Sequence, residues 1–138
     1  MRTTRLLLTL FLAFVGIGAA ASISFAQPPI PPTFSVKVPP LQVDPGYRSE
    51  GPCPKKVTFT GRITVNRAGI VRYTFLRSDG ASGPVHRLRF DAAGSKEVHT
   101  SWLLGRSSTG WMATKILSPR EEESAKANFE VRCTPLVH

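Results

Sequence analysis

Two cysteines, Cys53 and Cys133, are the residues whose types and spacing point most directly to chemistry, and the chain has no others. A disulfide between them would close a loop of about 80 residues, which contributes roughly 4–5 kcal/mol in the chain-entropy model. A reactive cysteine or a redox pair is the alternative. Redox pairs usually occur as Cys-x-x-Cys, and these cysteines lack that spacing. The sequence therefore predicts a structural disulfide.

Two of the three histidines, His86 and His99, flank a predicted hairpin and could in principle share a metal ion. The register that pairs Leu88 with Val98 keeps apolar and polar residues on separate faces of that hairpin. That register holds the two histidines apart. We therefore expect no metal site and no cofactor.

The acidic and hydroxyl residues do not form a pattern typical of a catalytic site. Asp79 belongs to an Asp-Gly turn, where its carboxylate can cap nearby backbone N–H groups. The sequence contains no Gly-x-Ser-x-Gly elbow and no glycine-rich phosphate loop. No pair of carboxylates is placed for general acid and base roles. We expect a protein without enzymatic activity.

Basic residues outnumber acidic ones by 18 to 9, which gives a formal net charge of +9. Arg62 and Arg72 are predicted to lie among threonines on the outer face of the first hairpin. That face could be an ordinary solvated surface, or it could bind anionic polymers of the cell envelope. Nucleic acid is not an expected partner, because the aromatic residues are predicted to point inward and cannot stack on bases.

Residues 1–26 have the features of an export leader. Basic residues open the segment, an apolar run covers residues 6–21, and Ser24-Phe25-Ala26 offers a cleavage site. A membrane anchor is the alternative, but the fully apolar part is short for a span of about 18–20 residues. We predict a cleaved signal peptide and no membrane span after cleavage. Cleavage would remove Arg2 and Arg5 and leave a net charge of +7.

Residues 27–52 are dominated by proline, and nine of the 12 prolines lie between Pro28 and Pro54. Proline fixes φ and cannot donate to a strand ladder, so this stretch favours an extended polyproline conformation. We interpret it as a spacer, although a ligand for an aromatic groove is the alternative. Residues 34–38 alternate in polarity and could add an edge strand.

Residues 53–133 alternate between apolar and polar side chains over short runs, which is typical of strands that bury one face. Turn-forming residues separate the runs. The six predicted strands are 56–65, 71–75, 88–90, 98–104, 111–117 and 127–133. This pattern predicts an all-β, immunoglobulin-like antiparallel β-sandwich of six to seven strands with one disulfide. Residues 134–138 are a C-terminal tail.

Strand direction predicts which loops share an end of the sandwich. Because consecutive antiparallel strands alternate in direction, loops 78–84 and 105–110 should lie together, beside Cys53 and Cys133. The remaining turns should lie at the opposite end, which carries the acidic run 121–123.

The two loops at the cysteine end are the predicted ligand-contact region. Asp79, Arg106 and Ser108 would supply polar contacts there, and Trp111 an apolar one. Trp111 opens a strand beside a loop, so it could serve as an aromatic platform, but we expect it to belong to the core. Trp102 is in phase with its strand's buried residues and is also predicted to be core.

The sequence resembles a family of small exported bacterial immunoglobulin-like β-sandwich domains of uncharacterised function. The matching residues are Gly51-Pro52-Cys53-Pro54, Phe59-Thr60-Gly61, Arg77-Ser78-Asp79-Gly80-Ala81, Trp102-Leu103-Leu104-Gly105, Gly110-Trp111 and the ending Phe129 to Cys133. The resemblance covers residues 51–133. It implies a fold and an exported location, and it implies no activity.

These features predict an exported, non-catalytic binding or structural module of the periplasm or cell exterior. The expected partner is a protein or glycan of the envelope, and the expected state is a monomer. One alternative is a basic protein that binds anionic envelope polymers through Arg62 and Arg72. Another is an inhibitor of an exported enzyme, in which the 105–110 loop enters the enzyme's cleft.

Overall fold

The chain divides into two units, Met1–Pro31 and Pro32–His138, and the described strands all belong to the second. The computed structural model describes residues 13, 15–30 and 33–136. Half of the predicted leader, residues 1–12 and 14, lies outside this range. Residues 15–30 are exposed and form neither helix nor strand. In the part of the chain that the structure describes, no helix has the length and apolarity needed to cross a bilayer.

The described residues of the second unit form ten β-strands and no helix. In chain order they are β1 (Val36–Lys37), β2 (Gln42–Asp44), β3 (Arg48–Gly51), β4 (Lys55–Val65), β5 (Gly69–Arg77), β6 (His86–Phe90), β7 (Gly94–Leu104), β8 (Ser108–Ser118), β9 (Glu122–Glu123) and β10 (Ala127–Cys133). All six predicted strands are present. The additional strands are short and lie mainly before Cys53.

The strands form two sheets that pack face to face. In the four-stranded sheet, β4 pairs along its whole length with β7 and on its other edge with β1 and β2. The six-stranded sheet has the order β3-β10-β8-β5-β6, with β9 also paired to β8. The pairs are antiparallel, except that β3 runs parallel to β10. The predicted all-β sandwich is confirmed.

The core lies between the two sheets and is built from alternate residues of the long strands. In β4, Val57, Phe59 and Ile63 are 0–1% exposed and Gly61 is also buried, while Thr58, Thr60 and Arg62 alternate with them on the outer face. Phe59 meets Phe129 of the opposite sheet edge-on, with 5.7 Å between ring centroids. This two-residue period is the pattern from which the strands were predicted.

The folded unit begins earlier than the predicted boundary at Cys53. Residues 33–52 supply three strands, and Leu41 is only 5% exposed within the core. Ser49, in β3, is also buried. The interpretation of residues 27–52 as one extended spacer is therefore corrected from residue 33 onward. Short segments between the prolines form strands that pair with β4 and β10. The number of prolines alone gave no indication of these strands.

The predicted hairpins are wrong, although their strands are right. β4 and β5 lie in different sheets, and so do β6 and β7. Leu88 is opposite Val71 rather than Val98. After β4, the side chain of Asn66 accepts a hydrogen bond from the Ser35 backbone N–H at 2.9 Å, so this corner holds the incoming chain instead of closing a hairpin.

The ends of the sandwich are arranged as strand direction predicted. The Cys53–Cys133 disulfide is present, with 5.4 Å between Cα atoms, and it links the beginning of β4 to the end of β10. It therefore joins the two sheets at one end. Pairing of Lys55 with Leu104 places the β7–β8 link at this end too.

Candidate functional site

A cleft of about 600 Å³ opens at the disulfide end of the sandwich, between the end of β7, the beginning of β8 and the loop after β5. We call it the loop-end cleft. Its lining residues are Ser78, Asp79, Trp102, Leu103, Leu104, Gly105, Arg106, Ser108, Thr109, Gly110, Trp111 and Phe129. Both sheets contribute lining residues, β7 from the four-stranded sheet and β8 and β10 from the six-stranded sheet.

The four residues predicted as ligand contacts all line the loop-end cleft. Asp79 comes from the loop after β5, Arg106 from the link between β7 and β8, and Ser108 and Trp111 from β8. The structure thus brings together residues that lie up to 32 positions apart in the chain. Their role as ligand contacts stays a prediction.

The wall formed by the loop after β5 is fixed to β8 by two hydrogen bonds. The Ser78 N–H donates to the Trp111 carbonyl at 3.0 Å, and the Trp111 N–H donates to Ser78 Oγ at 3.1 Å. Ser78 can approach so closely because Gly110 has no side chain. A Cβ there would lie 2.6 Å from Ser78 Oγ and 2.9 Å from Phe129 Cζ.

Trp102 lines the cleft, and its ring contacts the guanidinium group of Arg77. The Arg77 guanidinium lies 4.0 Å from the ring centroid, within cation–π range. Asp79 also binds that guanidinium, accepting hydrogen bonds from Arg77 Nε at 3.2 Å and from Nη2. Asp79 Oδ1 also accepts from the Ala81 N–H at 3.0 Å. The bonds from Arg77 and then Ala81 lower the pKa of Asp79.

Trp111 lies outside the core cluster, contrary to the prediction. It pairs with Asn128 on the outer face of the six-stranded sheet, and it is half-buried. The Lys126 Nζ lies 4.3 Å from its ring centroid. The alternative interpretation, an aromatic side chain at the loop end, agrees with its position. Trp102, by contrast, packs against the core as predicted.

The polar rim of the cleft is formed by the link between β7 and β8. This link is only residues 105–107, shorter than the predicted 105–110 loop, because β8 begins at Ser108. Ser108 Oγ donates to the Arg106 carbonyl at 2.9 Å. Among the described residues Arg106 makes no salt bridge. The predicted inhibitory loop is thus reduced to three residues, and an inhibitory role for it stays a prediction.

Sequence reasoning missed four lining residues of the loop-end cleft. Trp102, Leu104 and Phe129 follow the buried phase of their strands, so alternation alone marks them as core. Leu103 is different, because it is a large apolar residue in the exposed phase and is 64% exposed. A single exposed leucine is ordinary on a protein surface, so no sequence signal marked Leu103 as part of the cleft.

The predicted anion-binding face does not form. Arg62 lies in β4 of the four-stranded sheet and Arg72 in β5 of the six-stranded sheet, so they do not share a surface. Arg62 contacts Glu97 at 3.5 Å. The prediction failed because it rested on a hairpin between β4 and β5.

The two central histidines are in different sheets. His86 stacks on Tyr73 with 5.1 Å between ring centroids. His99 Nδ1 lies 3.3 Å from Thr60 Oγ1. No group of three or more His, Cys, Asp or Glu side chains in the described residues is arranged to hold a metal ion.

No protein-family model matches the chain, and no curated protein matches it in sequence. Among solved structures, it is similar to the CARDB domain of a Pyrococcus furiosus protein, determined in complex with di-metal ions. The TM-score is 0.58 at 7% identity, over 73% of this chain and 96% of that one. The domain has an immunoglobulin-like fold.

Two β-glucosidases contain a region of similar fold. The enzyme from Erythrobacter marinus gives a TM-score of 0.54 at 9% identity, over 71% of this chain and 15% of that one. The enzyme from Listeria innocua with isofagomine gives 0.51 at 11% identity, over 75% and 16%. The chain thus spans about one-sixth of each glucosidase. At such identities these likenesses show the fold alone.

Proposed function

We propose that this protein is an exported, non-catalytic binding module that acts as a monomer and takes its ligand in the loop-end cleft. The single observation that carries the proposal is the convergence of Asp79, Arg106, Ser108 and Trp111 on one concave surface. Concave sites that combine aromatic surface with a few polar groups are the usual form of ligand pockets. The expected ligand is a glycan or a peptide segment of an envelope protein.

Rigidity supports the cleft as a recognition surface. Its walls are cross-linked by the Ser78–Trp111 hydrogen bonds, and the nearby Cys133 N–H donates to Ser107 Oγ at 2.9 Å. The disulfide fixes the same end of the two sheets. A preorganised surface loses less conformational entropy when it binds a ligand.

The chemistry of the cleft favours binding over catalysis. Among the described residues, Asp79 supplies the carboxylate that lines the cleft. This carboxylate already accepts hydrogen bonds from Arg77 and from the Ala81 N–H. Its lowered pKa keeps it ionised near neutral pH, which makes it a poor proton donor. Both described histidines lie elsewhere in the sandwich.

Export is supported by two independent features. The leader pattern of residues 1–26 is one of them. The other is the disulfide, because such bonds persist mainly in oxidising compartments such as the periplasm and the cell exterior.

Tryptophan fluorescence tests the proposal directly, since the chain has two tryptophans and both line the cleft. The probes are chitopentaose, cellopentaose, soluble muropeptides, and short neutral and acidic peptides. We expect at least one class to give a saturable change in emission. The variant Trp111→Phe leaves Trp102 as the reporter and should weaken binding of that probe, as should Arg106→Ala.

The matched control is Lys37→Ala, which removes an exposed cation from β1, outside the cleft lining. It should bind the same probe with unchanged affinity. A probe that binds by calorimetry without altering the fluorescence, and equally to the cleft variants, would place recognition elsewhere. A panel in which nothing saturates would count against a binding role for the cleft.

A further inference from the structure

Two arginines face each other directly across neighbouring strands of the six-stranded sheet. In the β5–β6 pair, Arg72 is opposite Arg87 and Ile70 is opposite Arg89. All four residues are exposed, because the alternate residues of both strands point to the core. We call this surface of Ile70, Arg72, Arg87 and Arg89 the arginine face.

The charge of this surface is uncompensated at its centre. Arg48, Arg62, Arg77, Arg89 and Arg132 each contact a carboxylate within 3.5 Å. In the described residues, Arg72 and Arg87 make no such contact. The acidic strand β9 pairs with the edge of β8 that faces away from β5, which places Glu123 against Lys115.

A directly opposed pair of like charges destabilises a sheet. An anion that bridges the two guanidinium groups reverses this effect, because arginine binds phosphate oxygens through two parallel hydrogen bonds. The arrangement therefore fits a phosphate-bearing ligand better than an empty solvated surface.

Aliphatic side chains border the arginines on this side of the domain. Ile70 is 44% exposed and Val85, which precedes β6, is 49% exposed. Arginines among exposed aliphatic residues match a bilayer interface, where phosphates lie beside acyl chains. A surface for single-stranded nucleic acid would instead present aromatic rings.

We propose that the arginine face docks on a bilayer that carries anionic phospholipids, with Arg72 and Arg87 binding the lipid phosphates. The face lies towards the β5 beginning of the sandwich, whereas the loop-end cleft is at the β5 end. Docking would therefore leave the cleft open. This inference does not depend on the proposed ligand of the cleft.

Co-sedimentation with lipid vesicles tests the proposal. The protein is produced by export from a bacterial host, so that the leader is processed as in the cell, and is used with its disulfide formed. The vesicles contain either about 30 mol % phosphatidylglycerol in phosphatidylcholine or phosphatidylcholine alone. We expect binding to the anionic vesicles only, and binding that weakens as salt rises.

The decisive variant is Arg87→Glu, which replaces the like-charge pair by an opposite-charge pair. It should reduce the vesicle partition coefficient by about tenfold or more, since each basic residue contributes appreciably near an anionic surface. It should also raise the thermal midpoint by about 2–6 °C. Lost binding with gained stability cannot come from unfolding. Lys37→Glu makes the same charge change on the other sheet and should leave binding unchanged.

Four results would overturn the proposal. Equal binding to both vesicle types would mean that charge does not direct docking. Equal losses for Arg87→Glu and Lys37→Glu would mean that net charge, not this face, is responsible. Binding to soluble polyphosphate without binding to vesicles would mean that the arginines bind a soluble anion. No binding to either would mean that the arginines only prevent other strands from pairing with the exposed edge of β6.

Discussion

The Arg77 guanidinium contacts both the Trp102 ring, 4.0 Å from the ring centroid, and the Asp79 carboxylate, with Nε 3.2 Å from Asp79 Oδ1. Arg77 is the last residue of β5, and Trp102 belongs to β7 in the other sheet. The contact therefore joins the two sheets beside the loop-end cleft. Asp79 orients the cation, and the ring supplies its second partner.

The first prediction concerns the pH dependence of this contact. The pKa of Asp79 is lowered in the folded protein, so the carboxylate binds its proton more weakly there than in the unfolded chain. Its stabilising effect is complete above the unfolded pKa and is lost as pH falls through the folded pKa. Between pH 5 and pH 2, Asp79→Asn should therefore lose less stability than the wild type.

Chemical denaturation across that pH range provides the measurement. Glu130, whose pKa is lowered chiefly by its hydrogen bond from Arg132, contributes a slope of the same sign, so Asp79→Asn removes only part of the dependence. Glu121→Gln, at an exposed site, is the control and should keep the wild-type profile. An unchanged slope in Asp79→Asn would contradict the assigned role of Asp79.

The second prediction concerns the close approach at Gly110. In Gly110→Ala the new methyl group would overlap Ser78 Oγ and Phe129 Cζ, both of which line the cleft. We expect the free energy of unfolding to fall by about 1–3 kcal/mol, the usual cost of overpacking. Gly105→Ala is the matched control, because no atom lies within 4 Å of its new Cβ. Equal stability of the two variants in urea would refute the close approach.

Much of this fold could be predicted because alternation reports the buried face of each strand. In β4, Val57, Phe59 and Ile63 alternate as the sequence indicates, and all are buried. Strand direction then sufficed to place Asp79 and Trp111 at one end. Neither inference requires knowledge of which strands are paired.

Strand pairing could not be predicted, because a two-residue period is satisfied equally by a hairpin and by a crossing between sheets. The apolar residues of β4 and β5 face one core from opposite sides. The corner at Asn66 is decided by a partner 31 residues earlier, Ser35, which local turn chemistry does not reveal. The wrong prediction that Arg62 and Arg72 share one face follows from this ambiguity in strand pairing.

The third prediction tests the beginning of the folded unit. Leu41 is 5% exposed, and its Cδ2 would lie 2.6 Å from a Cβ at Gly61. Leu41→Ala should therefore lower the free energy of unfolding by about 2–5 kcal/mol. Leu136→Ala, at a site that is 66% exposed, should change it little. A mild effect at Leu41 would restore the interpretation of residues 27–52 as a spacer.

The fourth prediction concerns the disulfide. Replacing Cys53 and Cys133 together by serine should lower the free energy of unfolding by about 2–5 kcal/mol, because the bond closes an 80-residue separation. The loss should also increase amide exchange near Ser107, whose hydroxyl accepts the Cys133 N–H. Hydrogen exchange measured for the oxidised and the doubly substituted proteins checks this. Unchanged amide exchange in the 105–107 link would mean that the disulfide does not stabilise the cleft.

The fifth prediction compares two buried threonines that differ in the hydrogen bonding of their hydroxyl groups. Thr114 is fully buried and its hydroxyl has no hydrogen-bond partner among the described residues, whereas Thr74 Oγ1 donates to the Gly83 carbonyl at 2.8 Å. Because an unpaired buried hydroxyl is costly, Thr114→Val should raise the free energy of unfolding by about 1 kcal/mol. Thr74→Val should lower it by a similar amount, since it leaves the carbonyl without that donor. Urea denaturation of the two variants, which make the same chemical change, measures both effects. Shifts of the same sign would mean that hydrogen bonding does not distinguish the two sites.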